Sequence, residues 1–176
     1  MKNLMVKKPW GEEYIICKTN NSATWHLKIN SRKKTSLHCH PKKKTGFILL
    51  DGKVEVMIGF YEKKILTAPD KLMIRPGLFH STKALSKKDS IVLEIETPIN
   101  KGDLVRYKDN YGRENKPYEG KKKMKKLNGE QIFKVPIKFG SNSYKYKNLN
   151  ITVEKVKSLK NLVKNRKRNT IFGILS

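Results

Sequence analysis

Acidic residues are scarce in this sequence: 15 Asp and Glu stand against 40 Lys and Arg, a formal net charge of +25. Arginine is scarce as well, 6 residues against 34 lysines, and that shortage decides what the charge means. Both cations bind phosphate by releasing counterions. Nucleic-acid surfaces favour the flat arginine fork, which grips phosphates and guanine edges. No DNA- or RNA-binding motif accompanies the lysines, so the charge reads as a lysine-coated surface and no specific nucleic-acid partner is expected. Two cysteines, Cys17 and Cys39, are too few for a disulfide scaffold and fit a reducing compartment. No apolar run approaches the ~20 residues that span a bilayer. The opening MKNLMVKKPWG lacks the apolar segment of a signal peptide. A cytoplasmic protein with no membrane partner is expected.

Helical periodicity is nearly absent, and what is present is a series of short strands. EEYIIC, TWHLKI, TSLHCH, GFILL, KVEVMIGFY, KILTA, KLMIRPG, HSTKAL and SIVLEIE follow one another between residues 12 and 100, broken by turn signals such as LLDGK and RPG. This pattern predicts an all-β fold in which sheets close on themselves, with a double-sheet jelly roll as one standard solution. The 176 residues suffice for one well-buried core, whereas two complete domains would be cramped. Residues 1–119 are therefore read as a barrel with a wrapping tail, in which GDLVRYKD suggests a short helical turn.

The like-charged run GKKKMKK, residues 120–126, is the candidate linker. Residues 127–176 read as a basic, partly β C-terminal extension, since QIFKVPIKFG, YKYKNLNITVEKV and NTIFGILS look like strands. From Lys121 on there are 16 basic and 2 acidic residues. The segment NSYKYKNLNITVEK echoes NNSATWHLKINSRK, which suggests a partial second barrel-like unit leaning on the first.

The chemistry concentrates in histidines. On a strand, His38 and His40 project to one face while Leu37 and Cys39 face the other way. His80 follows the break at Pro76 and Gly77, where a new strand begins, and a barrel can bring that strand start beside the pair. Three imidazoles suit a divalent metal such as Zn, Fe, Mn or Ni and leave positions open for water or substrate. His26 stands apart, as strand surface or a residue behind the site.

These residues carry a resemblance to the cupin superfamily, whose first motif runs through a glycine, His-x-His, a glutamate and a second glycine. Its second motif runs through a proline, a glycine, a histidine and an asparagine. His38, His40 and Gly52 match the first in register, and Gly77 and His80 the second. Arg32 replaces the leading glycine, Thr45 the glutamate, Arg75 the proline with Pro76 beside it, and Ala84 the asparagine. The resemblance implies a cupin double-stranded β-helix. Within cupins the chain resembles the C-terminal cupin domain of type II mannose-6-phosphate isomerase/mannose-1-phosphate guanylyltransferase over about residues 8–119. Trp10 in KPWGEEY and Asp103, Arg106, Asp109, Tyr111, Gly112 and Arg113 in LEIETPINKGDLVRYKDNYGR carry that likeness.

It implies a metal-dependent sugar-phosphate or nucleotide-sugar isomerase or epimerase of surface-polysaccharide synthesis, acting on a phosphorylated or nucleotide-linked sugar. Such a reaction needs a base, and Glu94 and Glu96 share one strand face as candidate catalytic groups, both inside the barrel or both in solvent. An anionic substrate calls for a cationic anchor, for which Arg75 is the first choice, with Arg106 and Lys44 as further candidates. Lys42, Lys43 and Lys44 otherwise read as a solvated loop. Loss of the motif glutamate leaves two other readings open: a three-histidine Fe(II) dioxygenase, and a non-catalytic sugar-binding cupin. Leu37, Cys39, Phe47 and Leu49 are read as an apolar exterior that a second subunit or the C-terminal strands would cover, so a homodimer is expected.

Overall fold

Among the described residues, β-branched and aromatic residues alternating with polar ones build fourteen strands. They are β1 (Leu4–Lys8), β2 (Gly11–Lys18), β3 (Ala23–Ile29), β4 (Leu37–Cys39), β5 (Lys44–Asp51), β6 (Lys53–Ile58), β7 (Glu62–Thr67), β8 (Lys71–Ile74), β9 (His80–Ala84), β10 (Ser90–Thr97), β11 (Val105–Lys108), β12 (Met124–Lys126), β13 (Gly140–Tyr146) and β14 (Leu149–Lys155). One short helix, α1 (Leu159–Lys164), follows them. This computed structural model describes residues 4–120, 124–126, 136–164 and 170–171. Among these, no helix is long and apolar enough to cross a membrane.

The strands form two facing antiparallel sheets. One runs β12-β1-β2-β3-β10-β5-β8 and the other β11-β4-β9-β6-β7, with β13-β14 as a separate hairpin. Between the sheets lies the main core, with Trp25, Leu27, Phe47 and Leu49 from the first sheet against Val54, Val56, Leu66 and Ala84 from the second. Phe47 and Leu49 thus face inward, contrary to their expected place on the exterior. Thr45, Phe47 and Leu49 of β5 and Lys43 just before it are all buried, because a strand whose inner face meets a second sheet must turn its bulkiest apolar residues there.

The outer face of the larger sheet carries Tyr14, Ile16, Leu50, Ile91 and Leu93, and Tyr144, Tyr146, Leu149 and Ile151 of the β13-β14 hairpin pack against them. The C-terminal strands therefore supply cover for an apolar sheet face. Part of the expected linker also joins the fold, since Met124–Lys126 pairs as β12 with residues 4–6 of β1. Residues 121–123 of that linker, and most of the strands expected in QIFKVPIKFG and NTIFGILS, lie outside the described residues. The expected helical turn at GDLVRYKD is instead a strand, because Val105 and Arg106 pair with Cys39 and His38 of β4.

Two glycines set the geometry near the cavity. A Cβ on Gly11 would stand 1.9 Å from the Lys28 carbonyl oxygen, so only glycine lets the chain pass β3 after Trp10. Gly77 has φ 74°, a left-handed turn that starts β9 in register with β4.

Candidate metal centre

The histidines meet through strand pairing and a hydrogen-bonded turn. β4 and β9 pair at His38 and His80, placing the two side chains directly opposite on one face. His40 lies two residues beyond His38, and the Gly77 amide donates to the His40 carbonyl at 2.8 Å, tying the Pro-Gly turn to the His-x-His strand. Ring centroids lie 4.5 Å (His38 and His80), 5.0 Å (His38 and His40) and 5.5 Å (His40 and His80) apart.

Each Nδ1 reaches a backbone carbonyl: Ser36 at 2.8 Å for His38, Asp103 at 2.6 Å for His40, and Leu78 at 3.0 Å for His80. A carbonyl only accepts, so each Nδ1 carries the proton and each Nε2 presents a lone pair. His80 Nε2 is buried with no hydrogen-bond partner. Burial, and then the neighbouring His80 and His40, hold His38 well below the usual histidine value. Burial, and then the Lys43 charge, push His40 down to about 3; His80 falls to about 4, chiefly through burial. All three rings are neutral at pH 7, the form that binds metal.

The candidate ligand atoms lie within 4.8 Å of one another. Two nitrogens bound at ~2.1 Å to one ion are at most about 4.2 Å apart, so a small inward tilt of the rings places them on a common ion. An orphaned, buried imidazole nitrogen and three correctly tied tautomers fit a divalent metal.

Both candidate carboxylates face inward, and their surroundings differ. Glu94 lies across from Trp25 on one side and Phe47 on the other, and it lines the cavity. Desolvation in these apolar surroundings raises it to about 7, against the opposing pull of Lys101. Glu96 accepts the Trp25 indole N–H at 2.8 Å and pairs with Lys43 Nζ at 2.6 Å. Glu94 is free to exchange a proton near neutrality, whereas Glu96 is held in place by its partners.

Residues 99–120 form the remaining wall, with Lys8 and Glu13. Lys8 lies 3.5 Å from Glu13 and 3.3 Å from Glu119, and Lys101 lies 3.8 Å from Glu13 and 3.7 Å from Glu96. Tyr118 donates to Glu13 at 2.5 Å. Arg106, a candidate substrate anchor, lines the cavity but spends its donors on Ser36 Oγ, the Arg113 and Lys116 carbonyls, and Glu119. Arg113 is likewise committed to Asp109 and Glu119. Arg75 and Lys44, the other candidate anchors, are exposed and do not line the cavity.

Lys43, read from sequence as part of a solvated loop, is 1% exposed and points into the cavity. The signal for it was present: an alternation that puts Thr45 inside puts Lys43 inside as well. Lys101 and Tyr118 carried no local signal, because only the folded tail brings them over the barrel. His26 stacks on Tyr14 at 4.6 Å and is not among the cavity residues. Cys39 faces away from the histidines, as strand alternation predicts, and does not join their group.

No family model and no curated protein matches this chain. Among solved structures it is similar to KdgF from Halomonas sp., at 22% identity over 53% of this chain and 84% of that one, TM-score 0.50. It is also similar to the capsular polysaccharide assembling protein CapF from Staphylococcus aureus, at 15% identity over 58% of this chain and 33% of that one, TM-score 0.52. The match thus spans a third of CapF. These likenesses show the fold, the cupin double-stranded β-helix, here with a basic, partly β C-terminal extension.

Proposed function

We propose that this cupin barrel holds one divalent ion on His38, His40 and His80 and uses Glu94 to move a proton on a sugar-derived substrate, as an isomerase or epimerase. The observation that carries this reading is Glu94, a buried carboxyl raised to about 7 on the cavity that the three neutral imidazoles also line. A proton-transfer group works best with a pKa near the operating pH. When bound, the ion would polarise a carbonyl and its neighbouring hydroxyl.

The chain's own residues supply the rest. Ser36, Asp103 and Leu78 aim the imidazoles through their carbonyls. Trp25 and Phe47 flank Glu94 on the neighbouring strands, and Lys101, Arg106, Arg113 and Tyr118 line the cavity beside it. The resemblance to mannose-6-phosphate isomerase/guanylyltransferase domains supports a sugar-related substrate, and so does the capsular polysaccharide assembly named for CapF.

The test is deuterium exchange. Metal-loaded protein incubated in D2O with candidate sugar phosphates and nucleotide sugars incorporates deuterium at the carbon beside the carbonyl, read by NMR. Glu94→Gln lowers the exchange rate by ~10²-fold or more. Among the described residues no carboxylate joins the three histidines as a ligand, which favours one second reading, an Fe(II) oxygenase. Substrate-dependent oxygen uptake without deuterium exchange would select it.

A further inference from the structure

We infer that Lys43 is the specificity-determining residue of this centre, and that it selects substrates whose reacting end is an α-hydroxy or α-oxo carboxylate. The inference rests on the metal reading above and narrows its substrate class.

Charge balance is the first support. The three candidate ligands are neutral, and Thr45 stands where the resembled motif places a glutamate; its hydroxyl is buried without a partner. Among the described residues no carboxylate joins the three histidines as a ligand, so a ligand that brings its own negative charge would suit a dication held there. Opposite that lack stands a buried ammonium. Lys43, the residue just before β5, is buried and lines the cavity with Phe47, which lies 6.0 Å from His80 between ring centroids. Among the described residues, Glu96 is the one group that the Lys43 ammonium bonds. An ammonium has three donors, which leaves Lys43 donors to offer a second anion.

Shape and the neighbouring cations decide which anion. The cavity volume is about 70 Å³, far below the ~300–1,000 Å³ of pockets that enclose drug-sized ligands, so only a small end of a substrate enters. A phosphate is usually clasped by guanidinium forks, yet Arg106 and Arg113 are spent on Glu119, Asp109 and main-chain carbonyls. A flat carboxylate with an oxygen on the adjacent carbon meets both constraints. Two of its oxygens would suit the positions left open on an ion held by His38, His40 and His80, and its remaining carboxylate oxygen would accept from Lys43, which lines the same cavity. A sugar-derived substrate would therefore enter by an acid end rather than by its phosphate.

Calorimetric titration of the full chain, loaded with Co(II) and matched for metal content, tests this with glycolate and inorganic phosphate as probes. Wild type, Lys43→Met and the double variant Lys43→Met/Glu96→Gln are compared. If Lys43→Met alone unfolds because Glu96 is left uncompensated, the double variant carries the comparison, since its neutral Gln still accepts from Trp25. Glycolate is expected to bind wild type one to one and the variants at least ~10-fold more weakly, the loss of one charge-assisted hydrogen bond. Phosphate is expected to bind wild type more weakly than glycolate does. Equal glycolate affinity in wild type and double variant, or phosphate binding more tightly than glycolate, overturns the inference and leaves the metal reading standing. Failure of wild type to take up Co(II) overturns both.

Discussion

Along β4 and β9 the cavity presents three imidazoles whose Nδ1 atoms are tied to carbonyls while their Nε2 atoms face inward, His80 Nε2 with no partner. Along β1, β2 and residues 99–120 it presents lysines, arginines and glutamates held in ion pairs. The two walls line one cavity. Their difference is unspent bonding capacity: buried polar groups in folded proteins are satisfied almost everywhere, so the wall with spare lone pairs is where a ligand belongs. The satisfied wall closes the cavity and holds its shape.

Glu96 gives the strongest way to break that contrast. Glu96→Gln leaves Lys43 as an uncompensated buried cation, and unfolding by denaturant should show a loss of about 4 kcal/mol. The next largest effect is on the ionic wall. Glu119 is desolvated, yet Lys8 and Arg113 hold its carboxyl down at about 2. Glu119→Gln should cost about 3 kcal/mol at pH 7 and leave metal content unchanged. Because its folded pKa is depressed, its stabilisation is full above about 4.5 and is lost as pH falls through about 2, so the variant and wild type converge in acid.

Glu94 shifts in the opposite direction. Burial raises it from 4.5 to about 7, so the folded state holds the proton more tightly than the unfolded chain does. The associated stability is full below pH 4.5 and is lost as pH rises through about 7. Glu94→Gln should therefore gain on wild type between pH 5 and pH 8, by on the order of 2 kcal/mol in denaturant titrations. The smallest effect is expected outside the cavity. Lys147 pairs with Asp51 on the exposed edge of the C-terminal hairpin, and Lys147→Ala should change stability by less than about 0.5 kcal/mol.

The nine strands between residues 12 and 100 and the histidine group were legible because each depends on local alternation or on a turn that a Pro-Gly pair fixes. The inward direction of Glu94 and Glu96 was narrowed to two choices, since alternation gives shared faces without saying which face meets the second sheet. That same limit misplaced Phe47 and Leu49, which pack between the sheets. It also hid Lys43, whose place in a run of three lysines made solvation the natural reading. Arg75 stood out through rarity and position beside Pro76, yet it is exposed. Lys101, Tyr118 and Glu119 come from a tail that reads as polar coil, and only its path across β1 and β2 brings them to Lys8 and Glu13. β11 was misread because its pairing partner, β4, lies far earlier in the chain, with Arg106 pairing to His38.

The central claim is that three neutral imidazoles with tied Nδ1 atoms form a metal centre. Metal analysis of the purified full chain after incubation with Co(II) and dialysis, for wild type beside His80→Ala, tests it most directly. One ion per wild-type chain, with little or none retained by a folded His80→Ala, is the predicted result. Equal metal content in the two proteins, or wild type that stays metal-free, would contradict it.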